Sequence, residues 1–283
     1  MKLLCRETLL CLLIGLAFPI FILAQTGSST QELKAKLKRF EQQQGYHQDT
    51  AYANTLIRLG FVYANSYPDS ALYILAGHAE HCHSSGYMEG EADTYIIMGD
   101  AYQMKGMYEK SLENYDKAFL LAKNIHYRKV LPLILNRIGI IYLNQGNNPE
   151  ALSKFYESLK AAEAIQDKAL IGATLNNIAI VHFYQGKFDE AEIDYQKRLK
   201  IAEEMSDSSS MSLAYNGIGE VNLHQKNPAK ALKNLAIAYQ LAIQVNNKEM
   251  ELTAILSMAE AYYETDSLQK AVTLFDDALE LSK

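Results

Sequence analysis

From about residue 50 onward, apolar residues fall at spacings of three and four, in stretches broken by short polar turns. That period belongs to amphipathic helices; strands would alternate. It predicts helix pairs near 92–105 and 109–124, 132–145 and 149–165, 172–185 and 189–205, 212–225 and 228–245, and 252–265 and 268–282. The clearest pair is 132–165, PLILNRIGIIYLNQGNNPEALSKFYESLKAAEAI. Ile138 and Tyr142 share one face of its first helix, and Ala151 and Phe155 share one face of the second. Steps of 40 residues from Tyr142 reach Tyr102, His182, Asn222 and Tyr262; steps from Phe155 reach Tyr115, Tyr195, Leu235 and Phe275. Gly139 likewise repeats as Gly99, Ala179, Gly219 and Ala259, and Ala151 as Ser111, Ala191, Ala231 and Ala271. Four columns in register without an insertion identify a repeat array.

The columns have physical roles. Gly or Ala in the Gly139 column lets the second helix approach the first. Gly106, Gly146 and Gly186 stand where a left-handed residue ends the first helix. Asn148-Pro149 and Asn227-Pro228 read as an N-cap followed by proline at the first helical position. One such hairpin cannot bury its own apolar face, so neighbours must stack on it.

In these residues the chain resembles the tetratricopeptide repeat family. The family pattern appears as Tyr95, Met98-Gly99, Tyr102, Gly106, Ser111, Tyr115 and Ala118, and again as Ile255, Met258-Ala259, Tyr262, Ala271, Phe275 and Ala278. The period of 40 departs from the usual ~34 and looks like the long-helix variety, with the extra residues at the end of the hairpin. The resemblance covers 50–283, with repeats near 50–89, 90–129, 130–169, 170–209, 210–249 and 250–283. It implies an all-α, right-handed superhelix of about six helix hairpins, a concave wall lined by the first helices, and a role in binding proteins or peptides. Exported arrays with this long repeat also look like the sensory input modules of signalling proteins such as histidine kinases or transcriptional regulators.

The ends differ from the array. Residues 1–24 carry Lys2 and Arg6 ahead of an apolar run from Leu9 to Ala24, the pattern of a signal peptide or, uncleaved, of an anchor. The run is 16 residues and is interrupted by Gly15 and Pro19, shorter than the roughly 20 a spanning helix needs. An exported, periplasmic or secreted location is therefore expected. Residues 25–49 supply a capping helix near 31–44, started by Ser29-Thr30, with Leu33, Leu37 and Phe40 on one face. The last helix keeps an apolar stripe of Ala271, Leu274, Phe275, Ala278 and Leu279, and self-association is one way of covering it.

Composition narrows the chemistry. The net charge is −6, or −7 without residues 1–24, which speaks against nucleic acid as partner. No phosphate-binding glycine loop, HExxH, GxSxG or paired CxxC occurs, so neither catalysis nor a cofactor is expected. The weak metal candidate is His78 with Cys82, one helical turn apart. However, Cys82 shares a column with Ala122, Ala162, Ala202 and Ala242, where a small residue packs between hairpins. Cys82 is the sole cysteine beyond residue 24, so no internal disulfide can form there. His182 and Asn222, in the tyrosine column, read as satisfied core positions.

The sharper binding signal is Asn136, Asn176 and Asn216, again 40 apart. The resemblance puts them on the concave wall, where a ladder of amides would offer both donor and acceptor to a peptide backbone; the alternative is that each braces a neighbouring helix. The same geometry nominates Asp100, Gln103, Arg137, Asn144, Asn177, Tyr184, Glu220, His224, Glu260 and Tyr263. Too few lysines and arginines stand beside the asparagines for the family's clamp on acidic C-termini. Glu220, Glu260 and Glu264 favour a neutral or basic ligand instead.

Overall fold

The computed structural model describes residues 29–46 and 49–282; the signal segment expected at 1–24 lies outside the described residues. Fourteen α-helices and no strand are present among the described residues. They divide into two compact units between Ile165 and Gln166. The first contains α1 (Thr30–Phe40), α2 (Thr50–Ser66), α3 (Pro68–Leu75), α4 (His78–Ser84), α5 (Met88–Met104), α6 (Tyr108–Asn124), α7 (Leu131–Asn144) and α8 (Asn148–Ala164). The second contains α9 (Lys168–Tyr184), α10 (Phe188–Met205), α11 (Ser208–His224), α12 (Pro228–Gln244), α13 (Lys248–Glu264) and α14 (Leu268–Leu281). Consecutive helices pack as hairpins, α5 on α6 and α7 on α8 in the first unit, α9 on α10, α11 on α12 and α13 on α14 in the second. No described helix is long and apolar enough to cross a membrane.

The turns set the period. Most helices from α5 onward are 17 residues long, and three-residue turns join them. The backbone therefore enters the left-handed region once every 20 residues, at Gly86, Gly106, His126, Gly146, Gln166, Gly186, Ser206, Lys226, Asn246 and Asp266. Around Gly106 the Met107 N–H donates to the Tyr102 carbonyl and the Gly106 N–H to the Gln103 carbonyl, both at 2.9 Å. These bonds satisfy carbonyls that the helix end would otherwise leave open. The tyrosine column is the third-last position of each first helix, and the same bond recurs from Asn147 to Tyr142, Lys187 to His182, Asn227 to Asn222 and Ser267 to Tyr262.

Several boundaries differ from expectation. First helices begin at 88, 168, 208 and 248, four residues earlier than the apolar period suggests. In the second unit, side chains account for this: Asp167 accepts from Leu170 N–H, Asp207 from Ser210 N–H, and Asn247 from Glu249 and Met250 N–H. Helix α7 starts only at Leu131, with Pro132 in its first turn. The cap of α8 is Asn147 rather than Asn148, and its side chain makes no capping bond; Asn227 caps α12 as expected, accepting from Lys230 N–H. Helix α1 is shorter than 31–44 but starts as read, with reciprocal bonds between Ser29 and Glu32. Its Leu33 and Leu37 cover Leu59 of α2. In the first repeat Gly77, at φ +71°, breaks the second helix into α3 and α4.

Glycine decides where the large residues go. A Cβ on Gly99 would stand 2.5 Å from the Tyr115 ring, and one on Gly139 2.5 Å from the Phe155 ring. Ala179 carries the Cβ that those glycines lack, and the next aromatic, Tyr195, instead lies against Gly217 of α11, 2.6 Å from where a Cβ would be. Gly139→Ala is therefore expected to cost about 1–3 kcal/mol, because Phe155, fully buried, has nowhere to move. Gly172→Ala should have the opposite sign, a gain of about 0.5–1 kcal/mol from helix propensity, since a Cβ there meets only Ile201 at 3.7 Å. Urea unfolding followed by helical circular dichroism checks both. Equal effects would overturn this account of the packing. At α14, Ala271 and Ala278 are buried, whereas Leu268, Val272, Phe275 and Leu279 face outward; of the stripe expected there, Phe275 and Leu279 are exposed.

Candidate functional site

The three asparagines do not form an open row of amides. Asn136 is 1% exposed and Asn216 3%, and only Asn176 keeps partial access. Within the second unit their amides serve neighbouring side chains. Asn176 Oδ1 accepts from Arg198 Nη1 at 3.0 Å, joining α9 to α10. Asn216 Nδ2 donates to Glu220 Oε1 at 2.9 Å, and Ser257 Oγ of α13 donates to the same oxygen at 3.2 Å. First helices of successive hairpins touch here, α11 against α13, so this position meets protein rather than solvent.

Other expected groove residues divide in the same way. Asp100, Gln103, Arg137, Asn177 and Glu220 are buried; His224 and Glu260 are half-buried; Asn144, Tyr184 and Tyr263 are exposed. Arg137 Nε lies 3.1 Å from Asp100 Oδ1, and the Tyr115 hydroxyl donates to that oxygen at 2.6 Å. Burial pushes the Asp100 carboxyl above its ordinary range, with Arg137 and Tyr115 pulling it back. Burial likewise pushes Glu220 up to about 7, opposed by its bonds to Ser257 and Asn216 and reinforced by Glu260. His224 stacks on Phe188, with centroids 5.2 Å apart, and meets Phe183 edge-on at 4.7 Å.

The first unit contains a cavity of about 220 Å³. Its walls come from three first helices and the turns that lead into them: Asn54 and Phe61 of α2, Tyr87 and Glu89, Asp93, Ile96, Ile97 and Asp100 at α5, and Tyr127, Lys129, Val130, Leu133 and Arg137 at α7. Asp100 and Arg137 were expected on this surface; Asp93, Tyr87 and Tyr127 were not. Asp93 stands in the column of Leu133, Ala173, Leu213 and Thr253, and a lone charge in that column was the available signal. Burial raises its carboxyl to about 6, against the pull of Lys129 and of the Tyr127 hydroxyl, which donates to it at 3.4 Å.

The histidines find protein partners. His78 Nε2 lies 3.6 Å from Cys82 Sγ, and both residues are buried. Burial, with His81 nearby, lowers His78 to about 4, and burial raises the Cys82 thiol to about 11. Among the described residues no three His, Cys, Asp or Glu side chains are grouped so as to hold a metal ion. His182 Nδ1 is 2.9 Å from Asp194 Oδ2, and Asn222 Oδ1 accepts from Asn234 at 2.9 Å.

Comparison with known proteins agrees with this architecture. The sequence pattern described as tetratricopeptide repeat matches residues 130–204 and 210–283, and a second of the same description matches 92–125. No curated protein matches the sequence. Among solved structures, BtubC (BKLC) from P. vanneervenii is similar at a TM-score of 0.67 with 16% identity, over 77% of this chain and 91% of that one. The apo quorum sensor NprR from B. thuringiensis gives 0.68 and 16%, over 89% and 72%. A Rap protein complexed with Competence and Sporulation Factor gives 0.61 and 13%, over 90% and 77%. At these identities the structures speak for the fold. With the sequence pattern matched over most of its length, the chain belongs to the tetratricopeptide repeat family.

Proposed function

We propose that this protein is a non-enzymatic binding scaffold that holds an extended peptide, or an extended segment of a partner protein, against its first helices. The observation that carries this reading is the cavity between α2, α5 and α7, whose walls are first-helix residues and the turns leading into them. Apolar walls with a few converging polar groups are what a peptide side chain requires. The exposed Asn144 extends the candidate surface along α7, and Tyr184 and Tyr263 are exposed on first helices of the second unit. Asn136 and Asn216 are buried and enter this reading as structural positions, while Asn176, in the second unit, keeps partial access. The apolar run at 9–24 supports work outside the cytoplasm. A sensory role is the second reading, favoured by the similar NprR being a quorum sensor and the similar Rap protein having been solved with Competence and Sporulation Factor.

Selection of a random peptide library on the full chain tests the proposal. Selected peptides are expected to bind at micromolar Kd in fluorescence anisotropy. Leu133→Arg, a half-buried position on the cavity wall, should weaken them by about tenfold or more with the helical circular dichroism unchanged. Peptides that bind this variant as well as the parent, or a selection that yields none, would count against it.

A further inference from the structure

We infer that the Asp93 end of this cavity is a subsite for a cationic group of the bound peptide, the guanidinium of an arginine or an ammonium; the assignment rests on the peptide-binding reading above. The geometry is specific. Asp93 places a carboxylate on a wall that also includes Ile96, Ile97, Val130 and Leu133. The described contact on that carboxylate is the long bond from the Tyr127 hydroxyl. Lys129, on the same wall, keeps its Nζ 5.0 Å from the centre of the Tyr127 ring instead of pairing with Asp93, and it acts on Asp93 through space. The other charged pair of the cavity, Asp100 with Arg137, is closed on itself. A half-buried carboxylate with no described cation within ion-pair distance is under-compensated, and a ligand cation would relieve part of that cost. The neighbouring faces suit such a ligand, since Tyr87 offers a ring to a cation and the aliphatic walls take the stem of a long basic side chain. Asp93 and Asp100 are seven residues apart, roughly 10 Å along the helix, so a basic side chain fits one end while its peptide continues toward the other.

Blocked single residues test this without knowledge of the natural ligand. Binding of acetyl-arginine methylamide, acetyl-lysine methylamide, acetyl-norleucine methylamide and unblocked alanine amide to the full chain is followed by saturation-transfer NMR. The arginine or lysine compound is expected to bind about tenfold tighter than norleucine; tighter binding of alanine amide alone would assign the subsite to a peptide N-terminus instead of a side chain. In Asp93→Asn, and in Asp93→Ser as a second variant, the advantage of the cation should vanish while norleucine binding and the helical spectrum are unchanged. A cation no better than norleucine, or a preference that survives both variants, overturns the assignment. If library-selected peptides still require Leu133 in that case, the subsite fails and the binding proposal stands. If nothing enters the cavity, both fall.

Discussion

Arg137→Met is expected to destabilise the first unit by about 3–5 kcal/mol, the cost of leaving a buried carboxylate without its cation. The side chains of Arg137 and Asp100 are each 3% exposed and 3.1 Å apart. Met keeps most of the length of the stem and removes the guanidinium with its charge and donors. The remaining partner of Asp100, the Tyr115 hydroxyl, supplies one hydrogen bond, which does not offset the loss of water around a carboxylate. The double variant Asp100→Leu, Arg137→Met should return to within about 1 kcal/mol of the parent, because a buried ion pair replaced by apolar groups is often close to neutral. Tyr115 loses little in the exchange, since Gln103 Oε1 lies 3.2 Å from its hydroxyl and can accept. Urea midpoints from circular dichroism, with amide exchange in α5 and α7 as the local readout, complete the double-mutant cycle. A loss below about 1 kcal/mol in the single variant would mean that the pair does not hold these helices together.

The same pair shows where sequence reasoning stops. The columns that pack one hairpin were legible because size alone decides them: Gly139 is small where Phe155 is large, and the structure seats one against the other. The left-handed turns at Gly106, Gly146 and Gly186 were legible for a similar reason. What a first-helix residue faces was not, because it depends on how closely the next hairpin's first helix approaches. Asn216 and Glu220 end beneath Ser257 of α13, and that distance is written in no single repeat. Asp93 escaped notice because it breaks a column instead of forming one. The early helix starts are set by the caps Asp167, Asp207 and Asn247, which also stand 40 residues apart but lie ahead of the apolar period.

Glu220→Gln is expected to stabilise the second unit at pH 8 by on the order of 3 kcal/mol and to change little near pH 4.5. The sign follows from the direction of the shift. The Glu220 carboxyl is raised from 4.5 to about 7 in the folded chain, so between those values the folded state holds a proton that the unfolded state has released. Its contribution to stability is fully present below pH 4.5 and is lost as the pH rises through about 7. This is the reverse of a salt-bridged carboxylate, which stabilises at neutral pH and fails in acid. Glutamine has the shape of the protonated acid and never pays the ionisation cost. Its Oε1 can accept from Ser257 and Asn216 as the carboxylate does. Its amide can also donate to Asn216 Oδ1, a buried acceptor with no hydrogen-bond partner. The difference between parent and variant, measured as amide exchange in α11 and α13 from pH 5 to 8.5, isolates this group from Asp93 and Asp100, whose carboxyls are also raised but lie in the first unit. Two parallel curves would show that Glu220 titrates alike folded and unfolded. A gap that widens with pH and levels off above 7 would identify it as the group that loosens the α11–α13 contact at neutral pH.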